Sequence, residues 1–133
     1  MQHSDLTRYY KIDSIIAAAA FKSGIQRRLI YMCMQKPQSI KNMADHVGLP
    51  LNKVHYHIGR LVELGLIEIA QVQPRSGRSI KIYKAVSEGF YISQIYLDDP
   101  FVDLRKELYE ALEKGEMKSD WGNGILSFRG GAV

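Results

Sequence analysis

The segment 51–63 places hydrogen-bonding side chains at helical spacing. Val54, Ile58 and Leu61 recur on one face of a helix, and a rotation of about 100° per residue puts the polar residues on the opposite face. Asparagine can pair with adenine, and lysine can donate to guanine. The candidates for contacts with bases and phosphates of DNA are therefore Asn52, Lys53, His55, Tyr56 and Arg60, with Arg60 assigned to phosphate.

A solvated surface is the alternative interpretation of these polar residues. For Asn52 and Lys53 it stays open, because exposed polar side chains are ordinary on any helix. His57 lies beside the apolar face, where a structural hydrogen bond is the more common role. We therefore leave His57 out of the proposed contact set.

The polar face of 51–63 belongs to the second of two helices that are joined by a turn. The apolar residues of 39–65 form two helical runs separated by Gly48-Leu49-Pro50. Ser39 can cap the first helix, and Gly48 can end it in a left-handed conformation. Pro50 suits the start of the second helix, and Gly65 its end. Since two such helices cannot bury their apolar faces alone, we expect a third helix over 25–35 to cover them.

After Gly65 the periodicity changes to that of strands. The β-rich runs 66–72 and 80–86 flank a loop, 73–79, which contains proline, serine and glycine, and this pattern predicts an antiparallel hairpin. The loop carries Arg75 and Arg78 and no acidic residue. A long, flexible loop that buries nothing has little structural need for these charges, so we assign both arginines to DNA phosphates or a groove.

Charge is unevenly distributed along the chain. The formal net charge is +4, but segment 22–84 holds eleven basic residues against three acidic ones, a local balance of +8. Such a concentration indicates a polyanionic partner, most commonly nucleic acid, although a solvated basic face is equally compatible with charge alone. Further phosphate contacts are expected from Lys41, Arg27 and Arg28, with both arginines on the exposed side of helix 25–35.

The remaining segments predict a single domain with flanking helices. We expect a frayed N-terminus at 1–11, a DNA-binding unit at 12–86, a linker with a C-terminal helix at 87–118, and a flexible tail at 119–133. Asp98-Asp99-Pro100 is a helix-start signal, and that helix should run to about Lys114. The apolar positions assigned to a dimer contact between the first and last helices are Ile15, Ile16, Ala19, Phe101, Leu104, Leu108 and Leu112.

Segment 90–97 is rich in aromatic and apolar residues. These side chains could line a pocket for an unknown small-molecule effector, or they could form part of a dimer interface, which we favour. The segment itself is compatible with either an extended or a helical conformation.

Several function classes find no support in the sequence. No secretory signal or membrane-spanning run is present, so we expect a cytoplasmic protein without membrane contact. We find no glycine-rich phosphate loop, no nucleophile with a placed base and no paired carboxylates, and therefore expect no enzyme and no cofactor. The lone Cys33 lies on an apolar helical face and is interpreted as a packed thiol.

Several of these fragments together resemble the ArsR type of winged helix-turn-helix transcriptional regulators. The resemblance covers about 12–86. Segment 21–30 is similar to that family's alanine-proline-x-arginine helix start, and 39–49 to its first motif helix. Val54-His55-Tyr56-His57-Ile58 with Leu61, followed by Gly65-Leu66-Ile67, is similar to its recognition helix and first wing strand.

The resemblance implies a mainly α fold with a small antiparallel β-hairpin, a winged helix-turn-helix with flanking N- and C-terminal dimerisation helices. It also implies a homodimer that binds double-stranded operator DNA. The metal-sensing members carry cysteine pairs on the first motif helix or Asp/His pairs on the last helix, and this sequence has neither, so we expect no metal site. The competing hypothesis is a winged-helix module that binds other proteins and no DNA.

Overall fold

The computed structural model describes residues 9–114, 117–122 and 125–130 of the 133-residue chain. Its helices are α1 (Ile15–Ala19), α2 (Gly24–Gln35), α3 (Ile40–Val47), α4 (Leu51–Glu63), α5 (Gln94–Leu97) and α6 (Leu104–Glu113), with a 3-10 turn at Ala20–Lys22. Its strands are β1 (Tyr10–Ile12), β2 (Gln38–Ser39), β3 (Ile67–Arg75), β4 (Arg78–Ala85), β5 (Gly89–Ser93), β6 (Met117–Gly122) and β7 (Ile125–Gly130).

The helix-turn-helix consists of α3 and α4, with α2 packed against α4. Ser39 caps α3, since its hydroxyl oxygen accepts a hydrogen bond from the backbone N–H of Asn42 at 3.1 Å. Gly48 ends α3 with φ +73°, a left-handed conformation that glycine adopts without steric cost. Pro50 precedes α4 and supplies no side-chain cap. The predicted caps and helix boundaries of this unit are confirmed.

The apolar faces of the three helices meet in one core. The members of this core from α2, α3 and α4 are Leu29, Ile30, Met43, Val54, Ile58 and Leu61, each at most 1% exposed. The first strand of the wing continues the core through Leu66 and Ile67. Burial of these side chains fixes the rotation of α4 about its axis, so the opposite face of α4 is turned to solvent.

The wing is a three-stranded sheet in the order β2-β4-β3. Strands β3 and β4 pair as far as Arg75 opposite Arg78, so the connection is only Ser76-Gly77. Both residues have positive φ, 39° and 83°, as a type I′ hairpin requires. The expected long, flexible loop at 73–79 is therefore wrong, because five of its seven residues are in strands.

A second sheet, in the order β1-β5-β7-β6, joins the two ends of the chain. β1 pairs in parallel with β5, and β7 pairs antiparallel with both β5 and β6. Phe90 of β5 packs its ring against Tyr10 and Phe21, with centroids 5.8 and 5.7 Å apart. The structure thus differs from the expected frayed N-terminus at residues 10–12 and from the expected flexible tail at 119–122 and 125–130.

Segment 90–97 is largely interior. Phe90, Ile92 and Leu97 are at most 1% exposed, and all three belong to the hydrophobic core of the protomer. Their burial in the protomer removes these three side chains from a dimer interface, so that expectation is wrong for them. The effector pocket stays a prediction. Ile95 alone in this segment is a strongly exposed apolar residue, at 73%.

The last described helix starts later than its sequence signal. Asp99 accepts a hydrogen bond from the N–H of Phe101, and Asp103 has φ +53°, so 98–103 is a turn and α6 begins at Leu104. Leu104 and Leu108 are fully buried in the protomer, which excludes them from a dimer contact. The side chain of Leu112 lies outside the described residues.

The fold is a winged helix-turn-helix, as expected, but with a larger share of strand than the expected mainly α class. The flanking helices α1 and α6 pack onto the domain itself. Among the described residues, no helix is long and apolar enough to span a membrane.

Candidate nucleic-acid interface

Helix α4 presents a polar ridge to solvent. Asn52, Lys53, Tyr56 and Arg60 are all exposed, and the Tyr56 side chain is 67% accessible. Because Val54, Ile58 and Leu61 pack into the core, the four polar side chains on the opposite face of α4 are turned to solvent. The N-terminal half of the ridge therefore offers amide, ammonium and phenol groups at helical spacing, a set that can donate to and accept from base edges.

A cationic groove lies between this helix and the wing. We call it the wing groove; it has a volume of about 670 Å³ and is lined from α3, the start of α4, β3 and β4. Its basic lining residues are Lys41, Arg75, Arg78 and Lys81, and His55 lies among them. Asp45 is its acidic residue and pairs with Lys41 at 3.2 Å. The groove is thus strongly positive and open along the flank of α4.

Arg75 and Arg78 face each other at the tip of the wing. They occupy opposed positions in the β3–β4 register, and both are exposed. Within the described part of the chain neither has an ion-pair partner, so two like charges stand directly opposite across the hairpin. Such a pair is unfavourable unless an anion lies between the guanidinium groups.

A second groove borders the C-terminal end of α4 and shares no lining residue with the wing groove. We call it the α1 groove; it has a volume of about 390 Å³ and is lined by Ile15, Ile16, Ala19, Ala20, Gln26, Arg60, Leu64, Phe101 and Val102. Four of the predicted dimer residues meet in this groove, namely Ile15, Ile16, Ala19 and Phe101. Arg60 points towards it and pairs with Glu63 at 3.7 Å. The structure therefore separates Arg60 from the arginines of the wing.

Arg27 is the one proposed DNA contact that the structure removes. It is only 4% exposed, and its guanidinium donates to the carbonyl of Phe21 at 2.7 Å and pairs with Glu107 at 3.6 Å. The expected exposed position on α2 was wrong because this side chain is enclosed by the 3-10 turn and α6. Arg28, the next residue, is exposed, although it lies outside both grooves.

His57 connects α4 to α2. Its Nδ1 lies 3.1 Å from the Gln26 side-chain nitrogen, and its ring contacts Tyr56 edge to face at 5.3 Å. The interpretation of His57 as a structural hydrogen-bonding residue is confirmed. Gln26 thereby helps to hold the His57 ring, which packs against Tyr56, an exposed candidate for base contacts.

Lys81 was missed by the sequence analysis. It lies on β4 among the lining of the wing groove together with Gln73 of β3. The available signal was weak, because a lysine on an exposed strand is common and only the hairpin register places Lys81 beside the groove.

Burial raises the pKa of Cys33 to about 12, which keeps it a neutral packed thiol. Among the described residues, no group of three metal-ligating side chains comes together.

The geometry agrees with a comparison against known families. Residues 27–70 match the family model of a helix-turn-helix domain. This helix-turn-helix match spans α2, α3, α4 and the start of the wing, and leaves the second sheet outside. No curated protein matches the chain.

Among solved structures, the chain is similar to the homodimeric winged helix-turn-helix DNA-binding domain of a possible ArsR-family transcriptional regulator from Mycobacterium bovis. The TM-score is 0.46 at 14% sequence identity, over 75% of this chain and 82% of that chain. The likeness is distant.

Proposed function

We propose that the protein is a transcriptional regulator of the ArsR-like kind that binds double-stranded DNA in a sequence-specific manner as a homodimer. The observation that carries the proposal is the position of the exposed ridge of α4 directly beside the cationic wing groove. A protein that binds a duplex needs both a source of base-specific hydrogen bonds and cations spaced to contact phosphates. The helix-turn-helix match adds support.

In this proposal the N-terminal half of α4 enters the major groove. Asn52, Lys53 and Tyr56 contact base edges, and His55 lies at the flank, where it also lines the wing groove. The B-DNA major groove is about 12 Å wide and admits one helix. Phosphates then lie against Lys41 and Lys81.

The wing tip supplies the second anchor. A phosphate or a narrow minor groove between Arg75 and Arg78 relieves the repulsion of the two opposed guanidinium groups. Arginine binds phosphate through two parallel hydrogen bonds, so the pair suits such a position. Arg28 remains a proposed phosphate contact, whereas Arg27 does not.

The test begins with selection of bound duplexes from a random pool. The double variant Arg75→Ala, Arg78→Ala should bind all duplexes more weakly. It should lower the slope of log K against log salt concentration by about 2 for each bound protomer, or about 4 for the homodimer. Asn52→Ala or Tyr56→Ala should instead change the selected sequence, with discrimination reduced by about 1–3 kcal/mol at the affected base pair.

A matched control is the double variant Lys36→Ala, Lys106→Ala. It removes the same charge from exposed positions outside both grooves, so its salt slope should remain close to that of the wild type. Failure of the wild-type protein to retain any duplex at moderate salt would instead favour the protein-interaction module. Equal loss of sequence discrimination in the wing variant and the α4 variants would refute the residue assignment.

A further inference from the structure

Phe101 projects into solvent at the rim of the α1 groove. Its side chain is 95% exposed, although it borders an apolar groove, so its ring is outside the groove of its own protomer. The next residue, Val102, is only 8% exposed and packs inward. An aromatic ring of this size normally contributes a large buried area, and its full exposure is therefore unusual for a side chain beside an apolar surface.

Hydrogen bonds order the backbone of the turn that carries Phe101. Asp99 accepts the N–H of Phe101 through its carboxylate at 2.9 Å, and its carbonyl accepts the N–H groups of Val102 and Asp103. Asp98 then pairs with Arg105 at 2.6 Å, which ties the turn to α6. These hydrogen bonds fix the backbone on both sides of Phe101, so a partner does not have to order the main chain of the turn on binding.

The α1 groove beside Phe101 fits an aromatic ring. Its walls are aliphatic, from Ile16 and Ala19 of α1 and Leu64 just after α4, and its volume is about 390 Å³. Arg60 stands at its edge, where a guanidinium can lie over an aromatic face. The same face of the protomer thus carries both a projecting aromatic side chain and an apolar recess.

We propose that two copies of the chain pair about a two-fold axis by reciprocal insertion of Phe101 into the α1 groove of the other copy. A two-fold contact uses the same patch on both subunits, so a surface with both a projection and a recess is complementary to itself. Each inserted ring buries about 150–250 Å². The proposal rests on the homodimer of the proposed function and defines its contact.

This mode of pairing reassigns Arg60 and involves the recognition helix directly. Arg60 lies in the last turn of α4 and Leu64 caps its C-terminal end, so the inserted ring contacts the helix that is proposed to read DNA. The pairing therefore sets the position of one α4 relative to the other, and Arg60 serves the contact between copies rather than a phosphate. Ile15 and Ile16 keep their expected role at this face, whereas Leu104 and Leu108 have none.

Sedimentation of the full chain over a concentration series tests the contact with two variants. Phe101→Ser removes the projection, and Ala19→Trp fills the recess, because Ala19 is an exposed residue of its wall. Each should raise the dimer dissociation constant by about 100-fold or more, since two copies of the contact are lost per dimer. Ile69→Ser is the control, since Ile69 is 46% exposed on the wing and lines neither groove; it should leave the constant unchanged.

Mixing the two variants gives a sharper result. Phe101→Ser keeps the aliphatic walls of the groove and loses only Phe101 at its rim. Ala19→Trp keeps its own Phe101 ring. The mixture should therefore form a heterodimer with one contact, more tightly than either variant pairs with itself. A wild-type protein that is monomeric throughout, a dimeric Phe101→Ser variant, or a mixture with no added association would each overturn the proposal. The first of these results would leave the groove to an apolar small molecule.

Two controls keep the result separate from folding and from DNA binding. Circular dichroism and thermal melting should match wild type for Phe101→Ser, because the removed ring is in water in the protomer. Phe101→Ser should also still bind a half-site with the wild-type salt slope. Loss of pairing with half-site binding retained supports the contact, whereas half-site binding with unchanged pairing overturns the contact and leaves the proposed DNA function intact.

Discussion

Neighbouring arginines on α2 offer a direct test of the structure, because Arg27 is buried and Arg28 is exposed. Replacement of Arg27 by methionine keeps most of the buried aliphatic stem and removes only the guanidinium. The lost hydrogen bond to the Phe21 carbonyl, 2.7 Å long, is charge-assisted and contributes about 1.5–3 kcal/mol. The pair with Glu107 adds less than about 1 kcal/mol, since Glu107 is 40% exposed.

Removal of a buried charge also relieves its desolvation cost, which offsets part of the loss. We therefore expect Arg27→Met to lower the free energy of unfolding by about 2 kcal/mol, or Tm by roughly 6–8 °C for a chain of this size. Urea unfolding followed by circular dichroism measures the change. Arg28→Met is the matched control and should stay within about 0.5 kcal/mol of wild type. If the two variants melt together, the buried contact of Arg27 is incorrect; if Arg28→Met is the less stable, the assignment is reversed.

Other predictions concern single positions. Gly48→Ala should lower the free energy of unfolding by about 1–2 kcal/mol, because its φ of +73° is unfavourable for alanine. An added Cβ would meet no atom within 4 Å, so the cost is purely conformational. An unchanged midpoint in urea unfolding would contradict this. Burial raises the pKa of Cys33 to about 12, so iodoacetamide at pH 8 should label it only in the denatured chain, as mass spectrometry would show. The hydrogen bond from Arg105 holds the pKa of Asp98 below its ordinary value of 3.8. As the pH falls, the Asp98 carboxylate therefore takes up a proton in the unfolded chain before it does so in the folded one. The stability that this pair contributes is present above pH 3.8 and is lost as the pH falls below that value. Asp98→Asn should accordingly flatten the acid limb of the stability curve.

The central unit was predictable because its signals are local. Ser39 and Gly48 act within one helical turn, and the apolar residues of α3 and α4 have clear helical spacing. The phase of α4 follows directly from Val54, Ile58 and Leu61, and the exposed ridge follows from that phase. Each of these features depends on residues a few positions apart, where sequence patterns are most informative.

Features that depend on distant partners were not predictable. The burial of Arg27 requires Glu107, and β1 requires β5, neither of which is marked by any local pattern. The hairpin tip was placed as a loop because Pro74 and Ser76-Gly77 are turn-forming residues, but only Ser76-Gly77 forms the turn. Asp99 caps a hydrogen-bonded turn rather than a helix, because Asp103 adopts a left-handed conformation that a helix cannot include.

The parallel pairing of β1 with β5 has a consequence for how the protein can be divided. Ile12 is fully buried, and its strand has a partner only when the polypeptide beyond residue 89 is present. A fragment that stops after the wing would leave Phe21 without its aromatic neighbour Phe90. The earliest strand therefore depends on one of the later strands: β1 can pair only after residues 89–93 have been synthesised.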